Sequence, residues 1–265
     1  MKEEKFEGGK YTQLFLNWGE LLASGVYLTF LCEANYESWI ENNHEVLGIV
    51  EKGEGSLLFN EKEYKIKPGF VFKIFPGQKP KIIPTVSLTV LVVQIPGSLG
   101  NIVAAGEQLD RLMVVDGNNV AGKAYEYESY GREIITCNYS NGIGLLRFQF
   151  PIDKIPLHIH PHSARLIRTI SGEGYTYAQP NRYDMDKNTF CLFPKGVVHT
   201  NGPRPGSLYD VYAVQLPWVD SKIDEEHIAG DPNFVRYIDA EPPKPLWKTK
   251  EDFERAIELH DRNKK

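Results

Sequence analysis

Short apolar or alternating runs, broken by Gly, Pro and Asn, recur along most of the chain, and this pattern predicts β-strands. Such runs are Val26 to Cys32, Val46 to Val50, Gly55 to Phe59, Val71 to Phe75 and Ile82 to Ile95. Further on come Glu133 to Cys137, Gly144 to Phe150, Ala164 to Ile170, Thr189 to Phe193 and Leu208 to Leu216. Helical periodicity is scarce. It is expected briefly within Asn101 to Val115 and, better marked, over Thr249 to Asp261. There Thr249 with Asp252 resembles a capping box, and Phe253, Ala256, Ile257 and His260 mark one face. The pattern predicts an all-β protein with a short C-terminal helix.

The strand pattern occurs twice. Lys52-Gly-Glu-Gly55 returns as Ser171-Gly-Glu-Gly174, and each copy leads through a turn to an aromatic strand ending in Phe-Pro. Those strands are Phe70-Val-Phe-Lys-Ile-Phe-Pro76 and Phe190-Cys-Leu-Phe-Pro194. Two related β-barrels follow from this. The expected organisation is a first barrel over 1–100, a Gly-rich connection over 101–125, a second barrel over 126–220, and an extension over 221–265.

Composition mainly excludes. With 42% hydrophobic and 25% charged residues the chain is neither disordered nor membrane-like, and its apolar runs fall far short of the roughly 18 residues of a span. The formal charge of −5, without a basic block, speaks against nucleic-acid binding. The charged start carries no signal-peptide pattern, and Cys32, Cys137 and Cys191 are odd in number and lack CxxC spacing. Reduced thiols and a cytoplasmic location are expected. Closed barrels cover their outer strands by pairing sheets, so the two copies are expected to pack together, and a homodimer is compatible with this.

Of seven histidines, four lie between His158 and His199. Strand residues two apart share a face, so His158 and His160 point the same way, and a Pro194-Lys-Gly196 turn brings His199 in from another strand. Three imidazoles on one side can hold a divalent ion and leave the opposite positions open. Here the string resembles the two cupin motifs, His-x-His followed by an acid and Gly, then Pro-x-Gly-x-x-His. The double copy is similar to a bicupin over roughly 20–95 and 130–217. The match departs where the family has a glutamate ligand, since Arg165 stands there, or Ala164 in the other register. The second motif opens on Asn188 instead of glycine.

The resemblance therefore implies a three-histidine metal cupin, with His158, His160 and His199 as ligands. The string His158-x-His160-x-x-Ser163-Ala164 looks most like the gentisate-type ring-cleaving dioxygenases. It implies Fe(II), with Zn, Mn or Ni as the other ions that histidine suits. An ion with three neutral ligands keeps its full charge and prefers an anionic, chelating small molecule. Arg165, facing inward, would add a carboxylate-binding fork, and the competing reading turns it outward to a surface acid. His162 is the other candidate catalytic residue, as a base or extra ligand, or else a loop residue after Pro161. Arg147 and Arg168 are weaker candidates, and alternation makes Arg168 structural. Tyr175, Tyr177, Tyr209 and Tyr212 are expected in the core, as is Cys191, while His44, His227 and His260 lack partners in the sequence.

In the first copy the ligand positions fall on Trp39, Glu41 and near Pro80, which make no metal site. That barrel resembles the sugar-sensing cupin of arabinose-type regulators at Glu51-Lys-Gly-Glu-Gly55 and Ile66-Lys-Pro-Gly69, but no helix-turn-helix follows it. The leading expectation is a non-haem iron dioxygenase of a small carboxylate. A metal-dependent isomerase, lyase or decarboxylase is second, and a non-enzymatic ligand-binding bicupin third.

Overall fold

A computed structural model of the chain describes residues 3–6, 9–31, 44–97, 112–124, 130–135, 142–150, 157–178, 181–187, 189–219, 224 and 226–227. Among the described residues every regular element is a β-strand. The chain forms two compact units, Met1–Val120 with Ile134–Gly144, and Ala121–Glu133 with Leu145–Lys265. The helix expected over 249–261, together with Trp39, Glu41, Cys32 and Cys137, lies outside the described residues. Among the described residues no helix is long and apolar enough to cross a membrane.

The first unit contains β1 (Glu3–Phe6), β2 (Gly9–Trp18), β3 (Ala23–Phe30), β4 (His44–Lys52) and β5 (Gly55–Phe59). It continues with β6 (Lys62–Ile66), β7 (Phe70–Ile74), β8 (Lys81–Pro84), β9 (Leu88–Pro96) and β10 (Met113–Asp116). The larger sheet runs β1-β2-β3-β9-β4-β7-β10 and the smaller β6-β5-β8. Val46, Val50, Phe72, Ile74, Val90 and Val92 enter an apolar core with Leu57 and Ile66. Their neighbours Leu47, Ile49, Val71, Leu91 and Val93 are buried as well. Strands covered on both faces need no polar alternation, which is why Val90 to Val93 reads as one apolar run.

Of the span 101–115, where a short helix was expected, residues 101–111 lie outside the described residues and 113–115 belong to β10. That strand pairs antiparallel with β7, Met113 opposite Lys73. Four residues of apolar sequence fit either period, and an available sheet edge decides the outcome. The expected connection therefore contributes a strand to the first unit's sheet. Behind that sheet, Lys73 forms a buried ion pair with Glu45, and its Nζ donates to the Ile143 carbonyl at 2.8 Å. The Ile143 N–H donates to Glu45 at 2.7 Å. Burial pulls Lys73 down to about 8 against the opposing attraction of Glu45.

The second unit comprises, but for Ile134, Ile135 and Gly144, β11 (Lys123–Ala124), β12 (Tyr130–Ile135), β13 (Gly144–Phe150), β14 (His158–Ile159), β15 (Ala164–Ser171) and β16 (Gly174–Ala178). It ends with β17 (Asn181–Met185), β18 (Phe190–Phe193), β19 (His199–Pro203), β20 (Tyr209–Leu216) and β21 (Glu226–His227). Its sheets run β11-β12-β13-β20-β15-β18 and β17-β16-β19-β14-β21. The order β2-β3-β9-β4-β7 in the first unit thus returns as β12-β13-β20-β15-β18 in the second. Even the irregularity is repeated: the β4–β9 register shifts between Val50 and Lys52, and the β15–β20 register between Thr169 and Ser171.

The Gly-Glu-Gly repeat has one physical cause in both copies. A Cβ on Gly53 would lie 1.9 Å from the Ser87 carbonyl oxygen, and one on Gly172 would lie 1.8 Å from that of Leu208. Each glycine also has positive φ, +76° and +77°. The shift toward the next strand leaves no room for a side chain at that corner.

Candidate metal centre

On β14 and β19 the backbone sets His158 and His199 directly opposite each other. His160 follows two residues after His158 on the same face. The ring centroids form a triangle of 4.4, 5.0 and 5.1 Å, and all three residues are buried. Each ring offers one nitrogen, and these atoms lie within 4.8 Å of one another. Two nitrogens held about 2.1 Å from one ion are at most about 4.2 Å apart, so the set would draw together on binding one. Among the described residues this is the one group of three side chains that can hold a metal.

The turn before β19 is tied to the site from two directions. The Gly196 N–H donates to the His160 carbonyl at 2.8 Å, which fixes the turn against the end of β14. His199 Nδ1 lies 2.8 Å from the Val197 carbonyl, an acceptor that keeps the proton on Nδ1 and leaves Nε2 with its lone pair. Phe193 stacks on the His199 ring at 4.4 Å and 17°, so the imidazole cannot turn freely. Burial, then the nearby His158 and His160, hold His199 well below the usual imidazole range. Burial and the Arg165 charge lower His160 too, against the pull of Asp224. Both are neutral at pH 7, the form a metal requires.

Arg165 faces inward, as alternation on β15 predicts, and is 4% exposed. It does not turn to a surface acid. Its Nη2 lies 3.1 Å from His160 Nδ1 and 3.4 Å from the carboxylate of Asp224, a residue the sequence reading did not single out. Asp224 is fully buried and accepts from the His162 N–H at 2.9 Å, from Gln215 Nε2 at 3.1 Å, and from the Ser163 hydroxyl. Burial alone would raise its carboxyl, but hydrogen bonds from His160, Ser163 and the His162 N–H outweigh this and hold it at about 2. The signal that could have found it is the missing acid at 164 and 165: an inward arginine needs a carboxylate, and Asp224-Glu-Glu226 follows the last barrel strand.

His162, expected as a base or extra ligand or else as a loop residue after Pro161, stands in the loop position. The chain bends at Pro161 and His162, the side chain is exposed, and only its backbone N–H joins the arrangement. Arg147 pairs with Asp210 through two hydrogen bonds of 3.0 and 2.7 Å on the opposite face of β13 and β20, and Arg168 donates to the carbonyls of Thr169, Lys187 and Thr189. Both are structural. The four tyrosines are buried, with the Tyr209 hydroxyl 3.3 Å from Thr169 Oγ1. Burial lifts the Cys191 thiol to about 11, so it is no thiolate at neutral pH.

Residues 142–244 match the family model of the AraC-like ligand binding domain. The sequence had suggested a sensor-like resemblance in the first barrel, whereas this match falls on the second. No curated protein matches the chain by sequence. Among solved structures, a Pseudomonas aeruginosa protein described as glyoxylate-induced superposes with a TM-score of 0.68 at 11% identity, over 80% of this chain and 83% of that one. The oxalate decarboxylase of Lactobacillus farciminis, solved as a formate complex, gives 0.62 at 12% identity over 86% of each chain. A cupin 2 conserved barrel domain protein from Leptotrichia buccalis gives 0.57 at 11% identity, over 78% and 88%. At such identities the likeness speaks for the fold, an all-β cupin fold, and leaves the gentisate-type reaction without support of its own.

Proposed function

We propose that the second unit holds one divalent metal ion through His158, His160 and His199 and acts on a small carboxylate-bearing molecule as a non-haem iron dioxygenase. One observation carries this reading: three buried imidazoles converge, two of them held neutral, with an arginine where an acidic ligand would stand. A dication there would keep its charge and its remaining coordination positions for an anionic chelate. Such an ion supplies Lewis acidity and, if it is iron, one-electron chemistry with dioxygen.

The chain's own part is orientation and exclusion. The Val197 carbonyl and the Phe193 ring fix His199, and the Gly196 N–H fixes the backbone of His160. Phe193, Ile167 and Ala213 belong to one apolar cluster with Val197 and Trp218 packed against it, and this cluster, which reaches the His199 ring through Phe193, would limit water on that side of a bound substrate.

A second reading, an oxygen-independent decarboxylase or lyase of a small acid, is favoured by the oxalate decarboxylase that shares the fold across both units. Metal-free protein should be loaded anaerobically with Fe(II), Mn(II), Ni(II) or Zn(II) in turn, then given hydroxy, keto and thiol carboxylates and oxalate. Oxygen uptake confined to the iron form supports the dioxygenase. Carbon dioxide release without oxygen uptake supports the second reading. Tight binding of an acid without turnover for any metal would make the protein a ligand-binding bicupin and overturn both.

A further inference from the structure

Asp224 lies between β20 and β21 in the chain. Strand β21 pairs with β14, His227 opposite His158 and Glu226 opposite Ile159. Asp224 is more deeply buried than His158 or His160. Its contacts converge on one atom. His160 Nδ1 is approached by two acceptors of Asp224, its carbonyl at 3.0 Å and more distantly its Oδ2 at 3.5 Å, and by a donor, Arg165 Nη2 at 3.1 Å.

These two neighbours ask for opposite tautomers. With its proton on Nδ1, His160 donates to the carbonyl and keeps a lone pair on Nε2 for a metal. With Nδ1 accepting from Arg165, the proton sits on Nε2 and that nitrogen cannot ligate. The carboxylate of the same Asp224 faces the competing donor. Its Oδ2 lies 3.4 Å from Arg165 Nη2 and gives the guanidinium another acceptor, while Ser163, Gln215 and the His162 N–H keep the carboxylate in place.

We propose that Asp224 is a positioning residue that selects the Nδ1–H tautomer of His160, accepting that proton on its carbonyl and drawing Arg165 away with its carboxylate. Its consequence for metal binding rests on the metal reading above, but the tautomer belongs to the metal-free chain. The placement of Asp224 and metal affinity are thereby coupled.

The test uses full-length, metal-free protein with 15N-labelled histidine, at a pH where the imidazoles are neutral. Imidazole 15N shifts should report Nδ1–H for His160 in the wild type and in Arg165→Met. They should move towards Nε2–H in Asp224→Ala, and return to Nδ1–H in Asp224→Ala/Arg165→Met. Zn(II) titration should show affinity reduced about 10- to 100-fold in Asp224→Ala and largely restored in the double variant. Should Asp224→Ala not fold, Asp224→Asn keeps the shape and should move the tautomer in the same direction.

An Nε2–H tautomer in the wild type, or one unmoved by either Asp224 substitution, overturns the proposal. So does an affinity loss that removing Arg165 leaves unchanged, because packing alone would explain it. A wild type with the Nδ1–H tautomer that binds no metal would overturn the metal centre and leave the role of Asp224 standing.

Discussion

Gly172 and Gly196 offer a controlled comparison within one unit. Their backbones are alike, with φ of +77° and +73°, but their surroundings are not. A Cβ at position 172 would lie 1.8 Å from the Leu208 carbonyl oxygen and 3.1 Å from Ser207 Oγ, whereas one at 196 would meet nothing within 4 Å. Alanine at either site takes on the left-handed conformation, at about 1–2 kcal/mol. Only Gly172→Ala must also push backbone back by on the order of 1 Å, just where β20 begins, which costs a further 1–3 kcal/mol or so. The expected losses are therefore about 1–2 kcal/mol for Gly196→Ala and about 2–5 kcal/mol for Gly172→Ala. At roughly 2–4 °C per kcal/mol, scanning calorimetry should place the Gly172→Ala midpoint several degrees below that of Gly196→Ala. Equal midpoints would refute the steric account of the repeated glycine. Gly53→Ala should behave like Gly172→Ala, because its Cβ would meet the Ser87 carbonyl oxygen at 1.9 Å.

His158→Ala or His199→Ala should lower bound metal from one equivalent to near zero by elemental analysis, whereas His162→Ala, exposed in this fold, should leave it unchanged. Because His160 and His199 are held below the ordinary imidazole value, the unfolded chain binds more protons than the folded one below about pH 6.5. Metal-free protein should thus lose stability as pH falls through that region in urea titrations, and saturating metal should slow the loss. Asp210→Ala strands the buried Arg147 guanidinium and should cost about 3–5 kcal/mol in chemical denaturation. Arg147→Met/Asp210→Leu should cost clearly less, since neither charge is then left buried.

What was legible in the sequence is what local backbone geometry imposes. Gly53 and Gly172 repeat because each strand corner approaches a neighbouring carbonyl, and that demand is written in the residue type itself. His158 and His160 share a face because a strand has period two, and His199 arrives by a Pro-x-Gly turn that the sequence spells out. For His162 the sequence left two readings open, a base or extra ligand and a loop residue after Pro161, because the period of a strand stops counting where the chain bends. Asp224 was illegible for another reason. It stands 59 residues from Arg165, and no local periodicity links the two. β10 was missed because four residues cannot establish a period, so its state depends on the β7 edge it meets.

The position of Asp224 also changes where a substrate's charge would be answered. Read from sequence, an arginine in the slot of an acidic ligand is a surplus positive charge beside a dication, ready to clasp a carboxylate. In the fold that charge is matched by a buried carboxylate held at about 2, so it stays ionised across the whole neutral range. Arg165 and Asp224 together add little net charge to the site, and the uncompensated charge would be that of the ion on its three neutral ligands. Preference for an anion would then follow the metal, and anion affinity should vanish with it, while the arginine's effect passes through His160. An inward arginine at a ligand position is thus explained by what it does to an imidazole nitrogen as fully as by what it could do to a substrate.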